Sequence, residues 1–167
     1  QFPIIYGQTW QDLFRQKLGL NTQQDDDISL IERLLQLMHD SGTDFTNLFR
    51  ALADIMIDAS VQEIKLRDHF IDREAIDLWL NDYTTRLKAE GSIDAKRKQQ
   101  MNAVNPKYIL RNHLAQAAIE KATQKDFSEI AKLLCILERP FDVQDQYEAY
   151  ASPPPPDLAT VEVSCSS

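Results

Sequence analysis

The chain has 167 residues, 43% of them hydrophobic, which suffices for one domain of ordinary size with a real core and leaves little for a second. Its 18 Lys and Arg stand against 26 Asp and Glu, a formal charge of -8, so a polyanion meets net repulsion before any local contact forms and nucleic acid is set aside as a partner. No apolar run approaches the roughly 18 to 20 residues that span a bilayer, and the opening Gln1-Phe2-Pro3 lacks the basic and apolar regions of a signal peptide, so no membrane partner is expected.

Capping signals divide the sequence into about eight helical segments with almost no strand signal, which predicts an all-α, irregular multi-helix domain. The first helix is expected to start at Thr9 and carry Trp10, Leu13, Phe14 and Leu18 on one face, with Gly19 ending it in the left-handed conformation. A second follows the acidic triplet Asp25-Asp26-Asp27 and runs through Ile28, Ile31, Leu34, Leu35 and Met38 to Gly42. The third opens near Thr43 and presents Phe45, Leu48, Phe49, Leu52 and Ile55.

Ser60 with Glu63 has capping-box spacing and opens a short fourth segment. Asp72 caps the fifth helix, where Ile71 and Ile76 have hydrophobic-staple spacing and Ile76, Trp79, Tyr83 and Leu87 form the buried stripe. Residues 96–100 lie on a sixth helix, and their Lys-Arg-Lys run is read as a solvated face. Asn105-Pro106 predicts the start of a seventh helix, because Asn caps well and Pro at the first position loses no bond. Asp126 and Glu129 are read as a capping pair for the last helix, whose apolar arc (Phe127, Ile130, Leu133, Leu134, Ile136, Leu137) is broad enough to mark it as central. After Pro140 the composition changes. Residues 1–140 are therefore expected to form a helical domain and residues 141–167 an extended tail, braced by Pro153 to Pro156 and ending in Cys-Ser-Ser.

Candidate chemistry is sparse. Asp25, Asp26 and Asp27 could attract magnesium, but acids before a helix also complement its dipole. His39, His69 and His113 lack the spacing of zinc ligands, so no metal site is expected. Asp68, His69, Asp72 and Arg73 resemble a catalytic cluster in composition, yet no glycine-rich phosphate loop or activated nucleophile accompanies them. No catalytic residue is assigned. Asn105, Lys107, Arg111 and Asn112 gather polar groups at an expected helix N-terminus, suited either to an anion or to docking a neighbouring domain, with Lys107 and Arg111 sharing a face. Only two cysteines are present, too few for a disulfide framework, which favours a reducing compartment. Cys135 falls in the apolar arc and is expected to be buried. Cys165, flanked by serines near the chain end, has the access that thiol exchange demands, so it is the candidate redox residue.

Several stretches resemble the C-terminal part of the selenoprotein O family: Phe70-Ile71-Asp72-Arg73, the run from Asn102 through Asn105-Pro106-Lys107-Tyr108 to Arg111-Asn112, and the ending Val163-Ser164-Cys165-Ser166-Ser167. Lys17-Leu18-Gly19-Leu20, Asp126-Phe127-Ser128 and residues 150–156 fit the same pattern in order, so the resemblance covers nearly the whole chain. It implies a longer parent with a kinase-like core that uses ATP and magnesium to transfer AMP to Ser, Thr or Tyr hydroxyls of proteins, and the absent initiator Met agrees. In the family the catalytic and nucleotide-binding residues lie N-terminal to this region, so none is carried over and no cofactor is expected within this chain. Cys165 occupies the near-terminal position that is selenocysteine in some members and cysteine in others. The expected partners are the kinase-like domain of the same polypeptide and the parent's protein substrates, in the cytoplasm of a bacterium or the mitochondrion of a eukaryote. The competing reading is a free-standing helical protein-interaction module with the Tyr-Pro tail as ligand.

Overall fold

The computed structural model describes residues 2–155, with side chains from residue 7 onward, and everything it describes is helical or loop. Seven α-helices follow in order: α1 (Phe2–Lys17), α2 (Asp27–Ser41), α3 (Phe45–Leu52), α4 (Arg73–Ala89), α5 (Asp94–Val104), α6 (Asn112–Thr123) and α7 (Ser128–Leu137). Three 3-10 segments, Val61–Glu63, Lys65–His69 and Asp145–Ala151, complete the order. No strand occurs among the described residues, in agreement with the all-α expectation. The chain divides into two compact units, Gln1–Asn105 and Pro106–Ser167.

In the first unit α4 is the axis. Ile76, Trp79, Leu80, Tyr83 and Leu87 recur at helical spacing and are all fully buried, against α2 and the two 3-10 segments before the helix. Polar atoms in this stripe have partners: Trp79 Nε1 donates to the Leu30 carbonyl (2.8 Å) and the Tyr83 hydroxyl to that of Leu18 (2.7 Å), while the two rings stack with centroids 5.0 Å apart. Burial pushes the Tyr83 phenol well above its usual range, so it serves as a neutral donor.

Local signals set most boundaries. Asp72 accepts from the Ala75 amide (2.9 Å) and Asp44 from that of Asn47 (2.8 Å), so α3 is capped one residue after the expected Thr43. At the end of α2, Gly42 takes φ +61° and Thr43 donates back to the Met38 carbonyl (2.9 Å). Ser60 and Glu63 form the expected capping box, although the segment they open is a single 3-10 turn. Gly19 has a stricter reason to be glycine: its φ is +69°, and a methyl group there would come within 2.5 Å of Arg97 Cγ and 2.9 Å of Met101.

Several expectations are corrected. Helix α1 begins at Phe2, not Thr9, because Pro3 falls in the first turn, where its missing amide leaves no bond unmade. Ile71 is 79% exposed, so the proposed staple with Ile76 does not form and the Asp72 cap alone sets the entry to α4. The Lys-Arg-Lys run is not a solvated face throughout: Arg97 is buried, donating to the Ile55 carbonyl and to Asp94.

The second unit departs further. Residues 106–111 are not helical, and α6 starts at Asn112. The amides of Lys107 and Tyr108 both donate to the Pro140 carbonyl (2.7 and 3.0 Å), tying this stretch to the exit of α7 and drawing the Tyr108 ring into the core. Gln144 joins the same junction. Its carbonyl accepts from the Tyr108 hydroxyl (3.0 Å) and its side-chain amide donates to the carbonyls of Ile136 and Arg139 (3.1 and 3.0 Å). Tyr147 and Tyr150 in the following 3-10 segment pack on this core, so residues 145–151 form part of the folded unit.

Candidate functional site

The four polar residues grouped at an expected helix start are placed in different settings. Asn105 closes the first unit, 1% exposed, with its side chain engaged at both ends: Nδ2 donates to the Lys17 carbonyl (2.9 Å) and Oδ1 accepts from Lys17 Nζ (3.2 Å). The Lys17 ammonium also lies 5.5 Å from the ring centroids of Phe45 and Phe49, and partial burial lowers its pKa. Lys107, Arg111 and Asn112 belong to the second unit. Lys107 pairs with Glu148, while Arg111 is buried and donates to the Ala151 carbonyl (3.3 Å). Because residues 107–111 are not helical, Lys107 and Arg111 do not share a helix face. Both cations hold the 3-10 segment that ends at Ala151.

The acidic triplet separates as well. Asp25 and Asp26 are exposed at the start of α2, whereas Asp27 is buried. Its carboxylate accepts from Arg86 Nε (2.8 Å) and from the Gln24 amide (2.9 Å). Arg86 then donates to Glu90 (2.9 Å) and to the Thr22 carbonyl (2.6 Å), and Glu90 accepts from the amides of Asn21 and Thr22 (3.1 and 3.2 Å). Every charge in this cluster thus closes the loop between α1 and α2 onto α4, and the donors around Glu90 hold its carboxyl below the usual range despite desolvation. A groove of about 420 Å³ beside it is lined by Gln24, Asp26, Arg33, Asp82 and Arg86, among others. Its charges are mixed in sign, with Arg33 paired to Asp82 (2.7 Å).

The remaining candidates are scattered. His39 and His69 are exposed and His113 is half-buried, its pKa lowered first by desolvation and then by Arg111. Asp68 pairs with Arg73 in an exposed contact and Asp72 caps α4, so the apparent catalytic cluster resolves into a cap and a surface ion pair. Cys135 is exposed, contrary to expectation: the buried side of α7 carries Glu129, Leu133 and Ile136, and Cys135 lies on the helix's other side. Cys165 lies outside the described residues. No group of three or more His, Cys, Asp or Glu among the described residues could hold a metal ion, and no described helix is long and apolar enough to cross a membrane.

One cluster escaped the sequence reading. Glu129 is buried under the 3-10 segment, where its carboxylate accepts from Lys121 (2.8 Å), Lys132 (3.3 Å) and the Tyr150 hydroxyl. The Lys121 and Tyr150 hydrogen bonds lower its pKa to about 2. Glu129 is therefore a tie to Tyr150, not the cap of α7; Asp126 accepts the Ser128 amide instead (3.0 Å). Only the i, i+3 spacing of Glu129 and Lys132 was visible in the sequence.

Comparison with known proteins gives a consistent result. The family described as protein adenylyltransferase SelO matches residues 1–138. A protein nucleotidyltransferase YdiU from Burkholderia lata is 48% identical over 167 residues, covering 100% of this chain and 32% of that protein. Its counterpart from Herminiimonas arsenicoxydans is 51% identical over 166 residues, covering 99% and 33%. A third, from Burkholderia multivorans, is 48% identical over 166 residues, covering 99% and 32%. The chain thus spans about a third of the length of these relatives.

Proposed function

Since the chain belongs to the protein adenylyltransferase SelO family, we propose that it is the C-terminal helical accessory and regulatory region of an enzyme that transfers AMP from ATP to Ser, Thr or Tyr hydroxyls of proteins. In this reading the catalytic residues lie in a kinase-like part of the polypeptide outside this chain. The observation that carries it is a match over the whole of this chain that spans only 32% of a relative named a nucleotidyltransferase.

The described residues do not fit the ATP and magnesium that the family implies. Asp27 and Glu90 are committed to Arg86, the acids form no ligand group, and the four glycines, Gly7, Gly19, Gly42 and Gly91, are too far apart to make a phosphate loop. No step of the transfer is therefore assigned to them. Cys165 is proposed as a regulatory thiol that forms a disulfide with a second cysteine in the catalytic part by exchange with a small-molecule disulfide, which is reduced to two thiols, and that is freed by the reverse exchange, restraining or releasing a catalytic loop. The partners in this reading are that catalytic domain and the parent's protein substrates, with no nucleic acid or membrane.

The test is labelling of protein substrates by ATP carrying a tagged α-phosphate, comparing this chain with the complete polypeptide. Labelling by the complete polypeptide alone supports the reading. Labelling by residues 1–167 by themselves would overturn it.

A further inference from the structure

We infer that the stripe of Ile130 and Leu134 on α7, extended by Phe127 at its N-cap, is the surface on which the second unit docks against the catalytic part of the same polypeptide; this rests on the function proposed above. Ile130 and Leu134 are four positions apart and so share one side of the helix, Phe127 stands at its N-cap, and the three are 44%, 61% and 61% exposed respectively. The neighbouring side of α7 is already used: Glu129, Leu133 and Ile136 are buried. Helix α7 is thus apolar over two adjoining faces, and a helix of that kind is stable when both are covered.

The unit's own core makes the same demand. Its buried hydrophobic cluster consists of Tyr108, Ile136 and Ala151, with Leu137, Tyr147 and Tyr150 partly buried beside it. The first unit, by contrast, buries a continuous cluster running from Leu18 to Met101. A unit of some 50 described residues buries too small a fraction of its surface to be secure alone, and an added apolar partner supplies what is missing. About two thirds of the length of the matched relatives lies outside this chain, so a covering surface within the same polypeptide is available. Docking within one chain also needs no separate encounter, because tethering holds the partner at high effective concentration.

The experiment uses Leu134→Cys in a Cys135→Ser background, with maleimide labelling of the α7 peptide followed by mass spectrometry. It is run on the complete polypeptide and on residues 1–167 at several concentrations, with adenylyl transfer measured in parallel. The expected result is labelling roughly tenfold or more slower in the complete polypeptide, as when access requires a local opening, and fast labelling at every concentration of the shorter chain. Equal rates in the two proteins overturn the inference. Slow labelling of the shorter chain does so as well: independent of concentration it assigns the stripe to the first unit, and rising with concentration it assigns it to a second copy. Ile130→Cys, and hydrogen exchange of the α7 amides without any substitution, give the same readout should Leu134→Cys misfold. Protection of the stripe without AMP transfer would sink the proposed function and leave the docking surface standing, whereas transfer with an open stripe would do the reverse.

Discussion

Lys17 and Asn105, 88 positions apart, hold each other reciprocally: the asparagine amide donates to the lysine carbonyl at 2.9 Å and the lysine ammonium donates to the asparagine oxygen at 3.2 Å. The pair joins the end of α1 to the end of α5. Asn105→Ala removes both contacts and leaves the half-buried Lys17 carbonyl without this donor, so a loss of about 1–3 kcal/mol in unfolding free energy is expected. Urea unfolding followed by tryptophan fluorescence measures it, since Trp10 and Trp79 both lie in the first unit. An unchanged midpoint would show that the pair contributes nothing.

The Arg86 network should behave as a unit. Arg86→Met strands the buried carboxylates of Asp27 and Glu90 and is expected to cost roughly 3–5 kcal/mol, while adding Asp27→Leu to the same chain should recover part of that loss, because one of the two uncompensated charges is then gone. The comparison is a double-mutant cycle in urea. Additive losses would mean that the two side chains are not coupled.

Glu129 predicts an acid transition confined to the second unit. Its folded-state pKa is about 2 against an ordinary value of 4.5, so the stabilisation is complete above about pH 4.5 and is lost as the pH falls toward 2. Its lysine partners are exposed and screened, so roughly 1–3 kcal/mol is at stake, below the full value of the shift. Circular dichroism of urea unfolding at pH 6 and pH 3 should show the drop in the unmodified chain and a smaller one in Glu129→Gln. Equal pH dependence in the two would rule Glu129 out as its source.

Cys165→Ser in the complete polypeptide is expected to abolish the difference in AMP transfer between oxidising and reducing conditions, since a thiol pair cannot form without it. A redox response that survives the substitution assigns regulation to another cysteine. Cys135, exposed on α7, is the control to replace in parallel.

Much of the fold was legible in local patterns. The Asp72 cap, Gly42, the Ser60–Glu63 box and the stripe from Ile76 to Leu87 all follow from interactions within four residues of one another. The fate of the polar candidates was not legible there. Asn105-Pro106 reads as a helix start until the Pro140 carbonyl, more than thirty residues away, claims the amides of Lys107 and Tyr108. Arg97 looks solvated between two lysines until the Ile55 carbonyl receives it. The family was visible in the motifs themselves, because their order along the chain is a property of sequence.

By itself, then, the sequence determined where most of the helices lie, which of their faces are apolar and which family the chain joins, because caps, periodicity and motifs are written in neighbouring residues. Tertiary structure alone decided which charges are buried and which residues are spent on loop closure. Whether Asp27, Arg97, Asn105 or Glu129 meets water or a partner depends on groups brought close only by folding, and desolvation makes those partners obligatory.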